Sequence, residues 1–351
     1  MMRYPLGALG LVGFLQAATV HGQVFVEDWQ NRVIKEYTAS GALINASLIR
    51  LPPGGGGGVG LTLDGNGHLF LADGQSGVVR EYTTSGSPVN AALVSGLSWP
   101  LGLALDGNGN FFVANGGIDH TPGSSIGEYT ISGAIVNVPF ISGLSNASSV
   151  ALDGNGNVFV ANSWSGTIGQ YMSSGTTVND ALVSGLNDPR SMIYDGKGNL
   201  YIANFGNGKI GKYTTLGETV NASLISGLNN PAALALDGNG HLYVASFGSG
   251  TVGVYTTEGA TVIPALITLP GKIDGLAVVP VPPAPKLNII QANTTFVLSW
   301  PTNQIGYALQ ASPSLEPPAW TSVSNSVVVV GTNNTVTVAA TPGATLFRLQ
   351  K

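Results

Sequence analysis

The phrase Asp-Gly-Asn-Gly, or a one-residue variant of it, starts at Asp64, Asp106, Asp153, Asp195 and Asp237, at spacings of 42, 47, 42 and 42 residues. A period between 20 and 50 residues marks a chain of stacked units, none of which can bury its apolar face without its neighbours. Each copy sits between apolar runs: Ala232-Ala-Leu-Ala-Leu precedes Asp237, and Leu242-Tyr-Val-Ala follows the turn. Glycine reaches positive φ without a Cβ clash, and Asp or Asn side chains bond the turn backbone, so the phrase predicts a hairpin. A third strand is expected at 251–255 and a less regular fourth at 262–267. With 50 glycines and 20 prolines the chain suits short strands and turns, and 44% apolar against 9% charged residues argues against disorder.

The same four-strand grammar recurs in each unit. Tyrosine ends the third strand as Tyr37, Tyr82, Tyr129, Tyr171, Tyr213 and Tyr255, and Asn45, Asn90, Asn137, Asn179 and Asn221 mark the fourth. Residues that recur in every unit are structural by the simplest account, and the tyrosines are expected to pack between neighbouring sheets with their hydroxyls hydrogen-bonded. First strands are expected at 60–64, 101–106, 149–153, 191–195, 232–237 and 276–279, and second strands also number six, starting with Val24-Phe-Val. The chain thus begins on a second strand and ends its repeats on a first one. Pairing the two would close a ring and remove the open edges of a linear array. The expected fold is all-β, a closed six-bladed β-propeller of four-stranded blades.

The run Asn230-Pro-Ala-Ala-Leu-Ala-Leu-Asp-Gly-Asn-Gly-His-Leu-Tyr-Val-Ala-Ser-Phe-Gly-Ser-Gly-Thr-Val resembles the NHL repeat. The resemblance covers residues 23–280, and only Asn31-Arg32-Val33 keeps the family's Asn-x-Arg-Ile-like ending. It implies the fold rather than an activity, since NHL-like propellers include binding platforms, sensors, lyases and lactonases.

Outside the repeats, Arg3 precedes an apolar run over residues 6–20 that ends in Val20-His-Gly, a secretory leader cut before Gln23. The run is shorter than the ~20 residues that cross a bilayer, so no transmembrane span is expected. The protein is expected to be exported to the periplasm, the cell surface or the medium. The sequence has no cysteine, which excludes disulfides and thiolate metal sites. Residues 281–286 form a Pro-rich linker, and 287–351 read as a small Ig/fibronectin-like β-sandwich, similar to C-terminal modules of exported bacterial repeat proteins. Trp300 and Trp320 fit its core or a carbohydrate platform. Residues 23–285 carry 9 Lys and Arg against 17 Asp and Glu, an acidic balance that disfavours a nucleic-acid partner.

Asp-Gly-Asn-Gly-Asn also begins like a calcium loop, but the sixth position after Asp153 is Val158 and the twelfth is Trp164; Gln75, Gly117, Gly206 and Gly248 fill the twelfth elsewhere. The expected channel lining carries Leu61, Leu103, Val150, Met192, Leu234 and Leu276, and its acids lie at turn ends apart from Asp274, too few for an SMP-30-like metal-dependent lactonase. No metal and no cofactor is expected. His68 and His241 hold a turn position that is Asn elsewhere, whereas His120 beside Asp119 lies in an insertion peculiar to its repeat. No nucleophile elbow is expected, and glycines 54–58 lack the Lys-Ser/Thr of a phosphate loop.

Function should lie where the copies differ. The loop after each second strand begins Trp29, Gly74, Gly116, Ser163-Trp164, Phe205 and Phe247, which places aromatic rings on four consecutive units, with Trp99 and Arg190 in connections on the same face. Two readings stay open: an arc of exposed rings that stacks on a sugar, peptide or protein, or local packing over the inner strands. The candidate residues are therefore Trp29, Trp99, Asp119, His120, Trp164, Arg190, Phe205 and Phe247. The expected function is a non-enzymatic binding or scaffold propeller, a monomer that recognises a glycan, peptide or protein. The alternative is a propeller hydrolase or lyase.

Overall fold

The structure, a computed structural model, describes residues 22–52, 59–117, 124–280, 287–292, 295–301, 308–312, 320–339 and 346–350. The leader, the glycine run, the linker, Asp119 and His120 lie outside these residues, apart from Gly22. The chain divides into two compact units, His21–Val281 and a second that includes Pro282–Lys351. No helix occurs among the described residues.

In the first unit the strands pair antiparallel into four-stranded sheets, and the pattern is set by the sheet of Pro231–Leu236, His241–Ser246, Thr251–Thr256 and Thr261–Thr268. Four further sheets repeat this order, with first strands Val59–Leu63, Pro100–Leu105, Ala147–Leu152 and Pro189–Tyr194. In the remaining sheet the first strand comes from the far end of the repeats: Ile273–Val278 pairs with Gln23–Asp28, followed by Val33–Thr38 and Leu43–Arg50. Each first strand lies against the next one, and Ile273–Val278 lies between Pro231–Leu236 and Val59–Leu63.

The repeated phrase makes the first hairpin of five sheets. Asp64 Oδ1 accepts the backbone N–H of Asn66 (2.7 Å) and of His68 (3.0 Å), while Oδ2 meets His68 Nδ1 at 2.8 Å. Asp153 does the same, with Asn157 Nδ2 donating to Oδ2 at 2.6 Å. Both carboxylate oxygens are thereby consumed by the turn, and His68 and His241 are turn residues as expected. Gly65 and Gly67 stand at φ 76° and 95°, where a Cβ would be strained. The fourth-strand asparagines also act locally: Asn45 Oδ1 accepts the N–H of Ser47 and Asn221 Oδ1 that of Ser223, both at 3.0 Å, where the ladder shifts register.

Packing between successive sheets supplies the core. Phe70 and Val79 of one sheet cluster with Phe111, Val113 and Tyr129 of the next. Val24, Val26 and Tyr37 do so with Tyr243 and Ala245. The six third-strand tyrosines are all buried in such clusters between sheets. Burying a Phe or Leu there contributes about 1.5–3 kcal/mol.

In the second unit, one sheet orders Asn288–Ala292, Thr295–Pro301, Asn333–Ala339 and Val328–Val330, and another orders Thr321–Ser322, Ala308–Ser312 and Leu346–Gln350. Leu298, Trp300 and Val336 of the first sheet share a core with Leu309 of the second, so Trp300 is a core residue. Trp320 is half-buried with the Arg348 guanidinium 4.4 Å from its ring centre.

Candidate functional site

On one face of the first unit, the loop after five of the six second strands is tied to the connection that leads into the same sheet. Gly116 N donates to Trp99 O (3.0 Å), Ser163 N to Asn146 O (3.0 Å), Phe205 N to Asp188 O (3.0 Å), Phe247 N to Asn230 O (2.9 Å) and Trp29 N to Lys272 O (3.0 Å). The four acceptors Trp99, Asn146, Asp188 and Asn230 stand at φ between 50° and 56°. Asn and Asp tolerate that left-handed backbone, whereas Trp99 is the outlier of the set.

A bulge follows each of these residues. Pro189 pairs with Asn204 but Ser191 with Ala203, which leaves Arg190 as the extra residue, and the same shift isolates Leu101, Ser148 and Ala232. In the sheet completed by both chain ends the irregularity lies between Asp28↔Ile273 and Val26↔Leu276, and it contains Asp274. A bulge re-aims the residue it carries. All five of these residues line a cavity of about 970 Å³ along the first strands. Trp99, Trp164 and Asp188 line it as well.

Electrostatically the cavity is divided. Asp188 Oδ2 accepts from Arg190 Nε at 3.1 Å, and the guanidinium lies 3.4 Å from the centre of the Phe205 ring. The guanidinium plane is therefore fixed while Nη1 and Nη2 make no hydrogen bond among the described residues. Two sheets away Asp274 is crowded by protein although the cavity reaches it, and burial pushes its carboxyl up, against the pull of the Arg190 charge. Between first strands, Ser149 Oγ accepts the N–H of Met192 and Ser191 Oγ that of Leu234, both at 3.1 Å.

The aromatic arc differs from the expectation. Trp29 and Phe247 meet edge to face with centres 5.7 Å apart, Phe247 and Phe205 lie 5.8 Å apart, and all three are half-buried. Lys272 Nζ stands 5.1 Å from the Trp29 ring centre and 4.6 Å from that of Phe247. These rings pack on one another and carry cations on their faces. Trp164 belongs elsewhere. The backbone bonds align Ser163, not Trp164, with Phe205 and Phe247, so Trp164 takes the place of Gly206 and Gly248. This one-residue offset takes Trp164 out of the arc and leaves it 43% exposed at the cavity. Asn146, with its amide oxygen toward the loop, accepts from Trp164 Nε1 (3.1 Å) and Ser163 Oγ (2.7 Å). Of the candidates, Trp99, Trp164 and Arg190 therefore meet at the cavity, and Phe205 supports Arg190.

A second cluster of polar side chains lies behind the cavity wall. Glu27 is fully buried, and neither carboxyl oxygen has a hydrogen-bond partner among the described residues. Burial, reinforced by the Asp274 charge, holds its carboxyl well above the usual carboxylate range, and the Arg32 charge opposes this. The register puts Ala72, Ala114, Ala161, Ala203 and Ala245 at the same place in the other second strands. Arg32, at φ 54°, likewise replaces Gly77, Gly166, Gly208 and Gly250. Its Nη2 reaches Asp73 Oδ1 at 3.1 Å, while Nε and Nη1 have no partner among the described residues. Sequence comparison of the copies could have found Glu27 by its break in the alanine column.

No protein-family model matches the chain, and no curated protein matches it in sequence. Solved structures are similar in shape. A chain of a nidogen/laminin complex superimposes with a TM-score of 0.62 at 14% identity, covering 73% of this chain and 98% of that one. A protein of unknown function from Bacteroides caccae gives 0.56 at 17%, covering 74% and 99%. A gluconolactonase from Xanthomonas campestris gives 0.50 at 14%, covering 69% and 83%. The fold is a β-propeller. At these identities the likeness extends to the fold alone, and it spans both binding proteins and enzymes.

Proposed function

We propose that the chain is an exported, NHL-like propeller of six blades, closed by the pairing of Gln23–Asp28 with Ile273–Val278, that binds a peptide, glycan or protein segment at the mouth of its central channel. The observation that carries this reading is the cavity of about 970 Å³ at which two tryptophans, an oriented guanidinium and a carboxyl converge. Pockets of roughly 300–1,000 Å³ with aromatic walls and few polar groups suit small ligands. A sandwich-like C-terminal unit, read from its two sheets and shared core, serves as an appended module. Binding is favoured over hydrolysis or lyase chemistry because the acids among the described lining residues are Asp188 and Asp274, and Asp188 is engaged by Arg190.

Tryptophan fluorescence tests the location. Titration of the full chain with oligosaccharides and short peptides should change emission, and a Trp99→Ala/Trp164→Ala double variant should lose both the signal and calorimetrically measured affinity. Trp29→Ala should retain binding. Binding that survives the double variant but fails in Trp29→Ala would move the site to the packed aromatic arc.

A further inference from the structure

The channel mouth holds two charged groups that the protein has oriented but not paired with each other. Arg190 is fixed by Asp188 at Nε and by the Phe205 ring beneath it, and its two terminal nitrogens remain free among the described residues. The Asp274 carboxyl makes no hydrogen bond to a described residue, and no ion pair joins it to Arg190, whose partner is Asp188. The two occupy equivalent bulges, separated by the Ala232 bulge of the sheet between them, and all three side chains face one cavity. Other sheets place Leu101 and Ser148 at this level, so the opposite charges are peculiar to one side of the channel.

A guanidinium with both η nitrogens available matches a carboxylate or similar anion through two parallel hydrogen bonds. Because its orientation is set beforehand, little rotamer freedom is lost on binding. A crowded carboxyl with no partner is costly while ionised, and an ammonium group relieves that cost. A ligand with only one charge would satisfy one group and leave the other desolvated and unpaired, which penalises it. A neutral ligand would leave both. Trp99 and Trp164 line the same cavity and supply apolar contact for whatever joins the two charged ends.

We propose that the cavity selects zwitterionic ligands of the short-peptide class, with the carboxylate on Arg190 and the free amino group at Asp274. This rests on the reading that the channel mouth is the binding site. The aromatic wall then accommodates a middle side chain.

The test uses the full chain and the tripeptide Ala-Tyr-Ala in four forms: free at both ends, N-acetylated, C-amidated and blocked at both ends. Calorimetry should give the tightest binding for the free peptide, with each block weakening it by about tenfold or more, the size expected for one charge-assisted hydrogen-bonded contact. Arg190→Gln should abolish discrimination between carboxylate and amide while discrimination at the amino end persists. Asp274→Asn should do the converse. Circular dichroism and melting of both variants establish that they fold. The proposal is overturned if the doubly blocked peptide binds as tightly as the free one. It is equally overturned if none of the four forms binds, or if only neutral oligosaccharides do; loss of such binding in the Trp99→Ala/Trp164→Ala variant would keep the channel mouth as the site. Peptide binding unaffected by that double variant would sink the location itself.

Discussion

Replacing Glu27 by methionine should make the protein more stable. The glutamate is fully buried with two unpaired oxygens at a position that is alanine in five other second strands, so neither packing nor repeat geometry demands a polar group there. A buried polar group without a partner costs about 1–3 kcal/mol, more if charged. Methionine keeps nearly the same length and volume, and swaps of that kind otherwise cost less than about 1.5 kcal/mol. The expected net gain at neutral pH is about 1–2 kcal/mol, or roughly 2–8 °C in Tm for a domain of this size. The effect should also depend on pH. Burial raises the Glu27 carboxyl in the folded protein, with Asp274, Asp73 and Asp28 acting in the same direction and Arg32 against. The folded state thus holds a proton that the unfolded chain releases above its own pKa of about 4.3. Below that value the wild type carries no ionisation penalty, and it loses stability as pH climbs through the raised folded-state value. Urea melts of wild type and Glu27→Met from pH 4 to 8 should diverge upward from about pH 4.3. Parallel curves, or a variant destabilised by more than about 2 kcal/mol at pH 7, would refute the reasoning and mean that Glu27 is an ionised partner of Arg32.

Two further predictions concern the scaffold. Ser191→Ala removes the acceptor for the Leu234 N–H and should cost about 1–3 kcal/mol in chemical denaturation, since that donor lies between two first strands. Calcium or EDTA should leave the melting temperature unchanged, because the Asp153 oxygens are already bonded within the hairpin; Asp153→Ala should cost about 0.5–2 kcal/mol by analogy with other lost backbone caps, and a calcium-dependent rise in Tm would overturn this.

The scaffold was legible in the sequence wherever one residue type solves one local problem. A tight reversal needs glycine and a short acceptor, so Asp64-Gly-Asn-Gly announced its hairpin. The strand at Val24 has no such phrase before it, which points to the strand expected at 276–279 as its neighbour, and Ile273–Val278 takes that place. The site was less legible because it depends on where a side chain points rather than on what it is. Trp164 and Phe205 both follow a second strand, yet a one-residue offset in the backbone bonds separates a cavity residue from a packed one. Arg190 and Asp274 face the cavity from bulges, and a bulge leaves no mark in an apolar pattern read with period two. Asp119 and His120, singled out for their insertion, lie outside the described residues and bear on neither question.

The departures from the repeat concentrate in the sheet that both ends of the repeats build. Glu27 replaces alanine, Arg32 replaces glycine at positive φ, and Asp274 occupies the bulge. A unit that only had to stack would keep the residues that stack best, and five sheets do so with alanine and four with glycine. Each departure is unfavourable by itself: an unpaired buried carboxyl, a left-handed arginine and a crowded aspartate. The two carboxyls come together only when strands from opposite ends of the repeats pair, and there the Asp274 charge adds to burial in holding the Glu27 carboxyl up. A cationic group arriving at Asp274 would stabilise its ionised carboxylate, and ligand binding at the channel mouth would then strengthen the seam at which the repeats close.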